Sequence, residues 1–158
     1  MPIADADVTA RLTELGLDLP PPPPALAAYV PCVVHEGTAW VAGQIPMIDG
    51  EVVSPGLVGA GVEPEDAAAA AARAALQALS VLRGTLGSFD AVARIVQVTV
   101  YVAAADGFTA HPLVANGASE LLVDVLGDDG RHARAAVGVG SLPLGSCVEV
   151  AVTAAVRG

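Results

Sequence analysis

A strictly alternating run from Ala93 to Val102 sets the kind of architecture that this chain can adopt. From Val96 onward, every second position carries an apolar β-branched residue: Val96, Val98, Val100 and Val102. The intervening positions are more polar: Gln97, Thr99 and Tyr101. Because successive side chains of a strand point to opposite faces, the run predicts a strand with one apolar face. A sheet built around such a strand needs helices over that face.

Two segments have the spacing of amphipathic helices. The first opens at Glu63-Pro64-Glu65-Asp66, with acids near the positive end of the helix dipole, and ends at Gly87. Its apolar stripe consists of Leu76, Leu79, Leu82 and Leu86, and its opposite stripe of Arg73, Gln77, Ser80 and Gly84. The second helix runs from about Pro112 to Leu126, and Gly127 is placed to cap it. Its apolar stripe consists of Val114, Ala118, Leu121, Leu122 and Val125.

Four further runs have the composition of strands. They are Tyr29–Val34, Thr38–Ala42, His132–Val139 and Cys147–Val156, whereas residues 48–61 are rich in glycine and turn residues. The element order predicts an α+β sandwich, with a mixed sheet of about five to six strands and both main helices on one face. The other face of the sheet then needs a cover, and self-association would supply one.

The N-terminal segment differs from the rest of the chain. Asp5 to Leu17 is predicted to form a short helix, and five prolines, Pro20–Pro24, then force an extended stretch. No Arg or Lys lies close enough to orient this run on an SH3-type partner, so a rigid spacer across the domain surface is favoured. We therefore divide the chain into an extension, residues 1–26, and a domain, residues 27–158.

The charge balance excludes several classes of function. Among 158 residues there are 7 arginines, no lysine and 17 acids, which gives a net charge of −10. Without lysine the chain has no Schiff-base or P-loop lysine, which excludes pyridoxal-phosphate enzymes and classical P-loop NTPases. An acidic chain with 3% aromatic residues is also a poor binder of nucleic acid, which is recognised through cations and stacking rings.

Cysteine, histidine and serine give no strong motif. Cys32 and Cys147 are expected to be reduced thiols, and the three histidines have no metal-ligand spacing, so no metal site is expected. The serines lack a nucleophile-elbow motif and are interpreted as turn or cap residues: Ser88, Ser119, Ser141 and Ser146. With no signal-peptide pattern and no membrane-spanning run, we expect a soluble cytoplasmic protein.

Arg134 is the most informative single residue. Strand alternation places it with Ala136 and Gly138, so a guanidinium stands beside small residues and has room to bind a carboxylate bidentately. Glu149 lies on the opposite face of the next strand from its valine neighbours. If the two strands pair, Arg134 and Glu149 could share a pocket. A purely structural ion pair between them explains the pattern equally well.

Several motifs together resemble the RidA/YjgF family, also called the endoribonuclease L-PSP family. They are Tyr29-Val-Pro-Cys-Val-Val, Trp40-Val-Ala-Gly43-Gln-Ile-Pro46, Gly87-Ser-Phe-Asp90, Val98-Thr-Val-Tyr-Val102, Phe108 with Asn116, Ala133-Arg134 through Leu142-Pro143, and Val148-Glu149-Val150. The resemblance covers roughly residues 27–157 and is closest to a longer, divergent branch. It implies a chorismate-mutase-like fold and a homotrimer with pockets between subunits.

The resemblance also implies a function, the hydrolysis of reactive enamines and 2-imino acids to 2-keto acids and ammonia without metal or cofactor. Arg134 matches the carboxylate-binding arginine and Glu149 the acid beside the attacking water. Tyr29 and Asn116 match pocket residues, and Gly43 matches a glycine whose backbone lines the site. Backbone groups near Gly43 and Ala136 would orient the imine and the water.

Two positions depart from the family pattern. Ala42 stands where relatives have serine, and Ala136 where they have cysteine, so the pocket is larger and less polar. Two other functions remain open. One is a non-catalytic module that binds a small carboxylate such as a 2-keto acid. The other is the ribonuclease or translation-inhibitor activity of the family's older name, which the charge disfavours.

Overall fold

The computed structural model describes residues 2–24 and 28–158. Three helices, α1–α3, span Asp5–Glu14, Pro64–Leu86 and His111–Leu126. The strands β1–β9 span, in order, Cys32–His35, Thr38–Gln44, Met47–Ile48, Glu51–Val52, Leu57–Val58, Gly61–Val62, Val92–Ala103, Ala133–Val139 and Val148–Val156. Short 3₁₀ turns cover Phe89–Ala91, Gly127–Gly130 and Pro143–Gly145. None of the helices in these residues is long and apolar enough to cross a membrane.

The five longest strands form one mixed sheet in the order β1-β2-β9-β7-β8. Only the last pair, β7 with β8, is parallel, and the other neighbours are antiparallel. Val98, Val100 and Val102 of β7 are fully buried beneath the helices. The α+β class, the five-stranded sheet and the two main helices on one face are therefore confirmed.

Helices α2 and α3 cross at very short range. A β-carbon at Gly117 of α3 would overlap the carbonyl oxygen of Ala68, so only glycine fits this position at the observed distance. The first half of α2 is mostly alanine, and Ala67, Ala70, Ala71 and Ala74 are fully buried. Gly87 ends α2 in the left-handed conformation and Gly127 ends α3, as predicted.

The predicted face of Val96 is wrong. The pairing of β7 with β9 shifts between Ile95 and Gln97, so Val96 is the extra residue of a bulge and is 44% exposed. Ile95 takes the buried position instead. A bulge inverts the alternation on one side of itself, which a period-two pattern in the sequence does not reveal.

The two C-terminal strands, whose pairing the sequence left open, do not pair with each other. β7 lies between β8 and β9, because the connection after β8 crosses over rather than forming a hairpin. Arg134 is level with Val98 and therefore lies on the helix-covered face. Glu149 is level with Tyr101 on the opposite, open face. Within one chain, Arg134 and Glu149 lie on different sides of the sheet.

Element ends differ from prediction for local reasons. α1 stops at Glu14 rather than Leu17, because Gly16 adopts a positive φ of 68°. The first strand begins at Cys32 rather than Tyr29, since Pro31 has no N–H and contributes only its carbonyl, which accepts from Ala42 N at 2.8 Å. Residues 48–61, predicted to be turns, include parts of two small two-stranded pairs, β3-β4 and β5-β6.

Other segments of the protein pack over the polar stripe of α2. Gln77 is buried and exchanges two 2.7 Å hydrogen bonds with the backbone of Ile45 and Met47. Ser80 donates to the carbonyl of Pro20, and Gly84 leaves room for the Pro22 ring. The proline run therefore lies along α2.

The N-terminal helix is held by charge and by core packing. Both oxygens of Asp5 accept from the Arg83 guanidinium at 2.9 Å, and one of them also accepts from the Phe89 N–H at 3.0 Å. These bonds hold the pKa of Asp5 below its usual range, the contact with Arg83 being the main cause. Val8 and Leu12 are buried in the same apolar cluster as the sheet.

We expect Gly117→Ala to destabilise the protein by about 2 kcal/mol, the usual order for overpacking a tight contact. Alanine is the better helix former by about 1 kcal/mol, but the Ala68 backbone cannot give way as a side-chain end could. Urea unfolding measures the difference. Gly140→Ala is the matched control, because a β-carbon at Gly140 would have no heavy atom within 4 Å and the φ of this residue is not positive. Equal stability of the two variants would contradict the tight crossing.

Candidate functional site

The side chain of Arg134 projects from the edge strand β8 toward α3. Its Nη1 donates to Asn116 Oδ1 at 2.8 Å and to Ser119 Oγ at 3.2 Å. Asn116 and Ser119 are three residues apart on α3 and therefore occupy one face of the helix. Two neutral side chains thus fix one amino group of the guanidinium.

Ser119 extends this network to a histidine. Its Oγ lies 2.9 Å from His132 Nε2, and His132 Nδ1 lies 2.6 Å from the carbonyl oxygen of Gly130. A carbonyl only accepts, so Nδ1 carries a proton, and in the neutral ring Nε2 accepts from the Ser119 hydroxyl. The serine lone pairs then face Arg134. All the donors in this chain of bonds point the same way, from Arg134 to Gly130.

Arg134 has no carboxylate partner in residues 2–24 and 28–158. The interpretation of Arg134 and Glu149 as a structural ion pair is therefore wrong within the chain. Arg134 is instead an exposed cation, oriented by Asn116 and Ser119, on a protein of net charge −10. Such a group is available to an anionic ligand. Ala136 follows on the same face of β8, level with Val100.

Glu149 lies on the open face of the sheet against Gly43. The pairing of β2 with β9 is irregular between Val41 and Gln44, and this irregularity includes Gly43. A β-carbon at Gly43 would stand 2.6 Å from Glu149 Oε1. The absence of a side chain at Gly43 therefore makes the space in which the carboxylate lies. Burial raises the pKa of Glu149 above its usual range.

The open face around Glu149 carries apolar side chains that nothing else in the described chain covers. Glu149 pairs with Tyr101, which in turn pairs with Val137, 42% exposed. On the neighbouring strands Trp40 is 46% exposed and pairs with Val33, 50% exposed. A sheet face with this composition is suited to contact with another protein surface.

Tyr29 lies near the edge of the sheet opposite to that of Arg134. It is exposed and comes three residues before β1, one edge strand, whereas Arg134 is on β8, the other edge. Four strand spacings separate these edges, roughly 19 Å. The structure therefore brings Arg134 together with Asn116 and brings Glu149 together with Gly43. It does not bring Tyr29, Arg134 and Glu149 together in one chain.

Comparisons with known proteins identify the family. The family model described as YjgF/chorismate mutase-like, candidate endoribonuclease, matches residues 9–156. The chain belongs to this family. Protein TCP17 of Trypanosoma cruzi is 40% identical over 149 residues, which cover 94% of this chain and 93% of TCP17.

Solved structures similar to this chain differ in how closely they match it. Atu1372 of Agrobacterium tumefaciens, of unknown function, has 37% identity and a TM-score of 0.90, and the match covers 97% of this chain and 94% of that one. The YjgF gene product of E. coli has 26% identity and a TM-score of 0.62, with 85% and 93% covered. This difference agrees with the predicted longer branch. The family match begins at residue 9, inside α1, and so extends into the predicted extension, residues 1–26.

Within this YjgF family member, sequence reasoning missed Ser119 and His132. Ser119, predicted to be a turn or cap residue, lies inside α3 and bonds both Arg134 and His132. Their spacing in the sequence carried a signal for this network. Asn116 and Ser119 share one face of the helix, and His132 and Arg134 share one face of the predicted strand. Deciding that these two faces meet required the tertiary structure.

We expect Glu149→Gln to change stability in a pH-dependent way. A carboxyl whose pKa is raised by folding favours the folded state when protonated, and that contribution is lost as pH rises through the raised pKa. The wild type should therefore lose stability relative to Glu149→Gln between about pH 4 and pH 7. Urea unfolding of both proteins at the two pH values checks this. A difference that does not change with pH would contradict the raised pKa.

Proposed function

We propose that this protein hydrolyses reactive 2-imino acids and their enamine tautomers to 2-keto acids and ammonia. The observation that carries the proposal is Arg134, a cation without an acidic partner among the described residues and held in place by Asn116 and Ser119. Its Nε and Nη2 remain to bind the substrate carboxylate bidentately. Family membership supports the choice of reaction.

The proposed reaction needs a placed water and a proton acceptor. Glu149, when ionised, takes a proton from water as the water oxygen bonds to the imine carbon. Glu149 returns this proton to the nitrogen, which gives a tetrahedral carbinolamine. The hydroxyl proton then passes to the nitrogen as the C–N bond breaks and the C=O bond of the 2-keto acid forms, and ammonia leaves. The raised pKa of Glu149 makes it a better base than a fully solvated glutamate. An imine is already electrophilic, so the scheme needs no covalent nucleophile.

We further propose that the complete pocket forms between subunits of a homotrimer. Tyr29 and Arg134 are at opposite edges of the sheet, and Glu149 and Arg134 are on opposite faces. One small substrate can contact all three only if they come from different copies. The exposed Trp40, Val33 and Val137 provide apolar surface for such an association. Both cysteines are free thiols, which fits the expected cytoplasmic location.

Binding without turnover is the main alternative. TdcF of E. coli has a structure with bound serine. TdcF is 22% identical to this chain, and at this level the likeness shows a shared fold alone. Serine is therefore a convenient first probe of the carboxylate site. What supports catalysis over simple binding is Glu149, which in the proposed pocket between subunits faces the same ligand as Arg134. A pocket that only bound an anion would gain nothing from a half-buried second carboxylate.

A coupled assay tests the deaminase function. An amino-acid oxidase generates imines in the presence of semicarbazide, which traps whatever the protein has not hydrolysed. We expect the wild type to lower the trapped fraction and Arg134→Ala to abolish this effect, because the substrate loses its only assigned cation. Glu149→Gln should also abolish turnover while it still binds 2-oxobutanoate. No acceleration with small, aliphatic or aromatic imines would overturn the proposal, and full activity of Glu149→Gln would overturn the role of that residue.

Gly43→Ala should slow the reaction about 100-fold, the usual cost of misplacing a catalytic group by about 1 Å. The new methyl group would displace the Glu149 carboxylate, whose flexible end can move without unfolding the protein. Calorimetric titration with 2-oxobutanoate should show little change in affinity. Gly140→Ala serves again as the control and should keep full activity. A normal rate for Gly43→Ala would show that the position of Glu149 is not critical.

A further inference from the structure

A shallow cleft of about 210 Å³ adjoins Arg134 on the side of α3. Its walls are formed by Ser119, Val123, Arg131, His132 and Arg134. Both charged residues among them are arginines, and none is acidic. Two guanidinium groups line this cleft and no carboxylate does, so the cleft suits a ligand of more than one negative charge, provided that Arg131 can exchange its pairing with Asp128 for the ligand.

Arg131 is free to change partners. Its Nε lies 3.3 Å from Asp128 Oδ1, and the two side chains are 69% and 97% exposed. Such a surface pair contributes little, about 0–1 kcal/mol, so a ligand carboxylate can replace Asp128. The backbone of Arg131 is held more firmly, because its carbonyl accepts from Arg94 Nη2 at 3.1 Å and its N–H donates to the Asp128 carbonyl at 3.1 Å.

The remaining lining residues indicate the kind of group that would join two carboxylates of the ligand. His132 has both ring nitrogens engaged, by Gly130 and Ser119, so it supports Arg134 rather than binding a second anion. Val123 adds an apolar surface. Two guanidinium groups with an apolar wall suit two carboxylates joined by a short aliphatic chain. A monocarboxylate would leave Arg131 unmatched.

We propose that the preferred substrates are dicarboxylic, namely 2-imino acids that carry a second carboxylate at the end of a short side chain. The 2-carboxylate binds Arg134 and the distal carboxylate binds Arg131. This inference rests on the proposed function and narrows its substrate class. Arg131 is then a specificity-determining residue, and Asp128 competes with the ligand for it.

Calorimetric titration with a matched pair of stable 2-keto acids tests the inference. 2-Oxoglutarate and 2-oxopentanoate have the same number of carbons and differ by the distal carboxylate. We expect the wild type to bind 2-oxoglutarate about 10-fold more tightly, the order of one charge-assisted hydrogen bond. Arg131→Gln should remove this preference and leave the affinity for 2-oxopentanoate unchanged.

Asp128→Asn should act in the opposite direction and tighten 2-oxoglutarate binding, because it releases Arg131. Asp129→Asn is the matched control: it changes the net charge equally, and Asp129 forms no ion pair in the described chain. If both variants bound 2-oxoglutarate equally more tightly than the wild type, the change in net charge alone would explain the effect, and the role of Asp128 would be overturned.

Two results separate this inference from the proposed function. Equal wild-type affinity for the two keto acids, with imine hydrolysis intact, would overturn the dicarboxylate preference alone. If Arg134→Ala bound both keto acids as tightly as the wild type does, the carboxylate site itself would be wrong and both proposals would fail.

Discussion

The close crossing of α2 and α3 is the contact on which the rest of the molecule depends. Gly117 lets α3 lie against the backbone of Ala68, in the alanine-rich first half of α2, and this contact keeps the two axes close. The pair can then cover the buried valines of β7 with a single layer of helix. This close contact between the helices also sets how far α3 lies above β8. That separation brings Asn116 and Ser119 within hydrogen-bond distance of Arg134. A wider crossing would leave that guanidinium unsupported.

Much of the fold could be predicted from the sequence because its signals are local. Alternating valines marked β7, Pro64 and Gly87 marked the ends of α2, and Gly127 marked the end of α3. Two features could not be predicted in this way. The bulge at Val96 has no residue signature, since any side chain can be the extra one. The pairing of β8 with β7, rather than with β9, depends on a crossover that local patterns do not encode.

The residues of the candidate site also differ in whether local sequence patterns could predict them. Arg134 and Glu149 were recognisable from the alternation of their strands, and Asn116 from the family resemblance. The contacts of Ser119 and His132 join residues from α3 and β8, so they depend on how the helix lies over the sheet. The crossover also decided which residues share a face. It separates Arg134 from Glu149 within one chain, which is why we propose a pocket between copies of the chain.

The position of Glu149 against Gly43 has an evolutionary consequence. The carboxylate occupies space that the chain creates by omitting a side chain, so the two positions must change together. A lineage that acquired alanine at position 43 would need a shorter acid at position 149 to keep its reach. Among homologous sequences, covariation of these two positions would distinguish members that preserve this geometry from members in which the pocket has acquired another use.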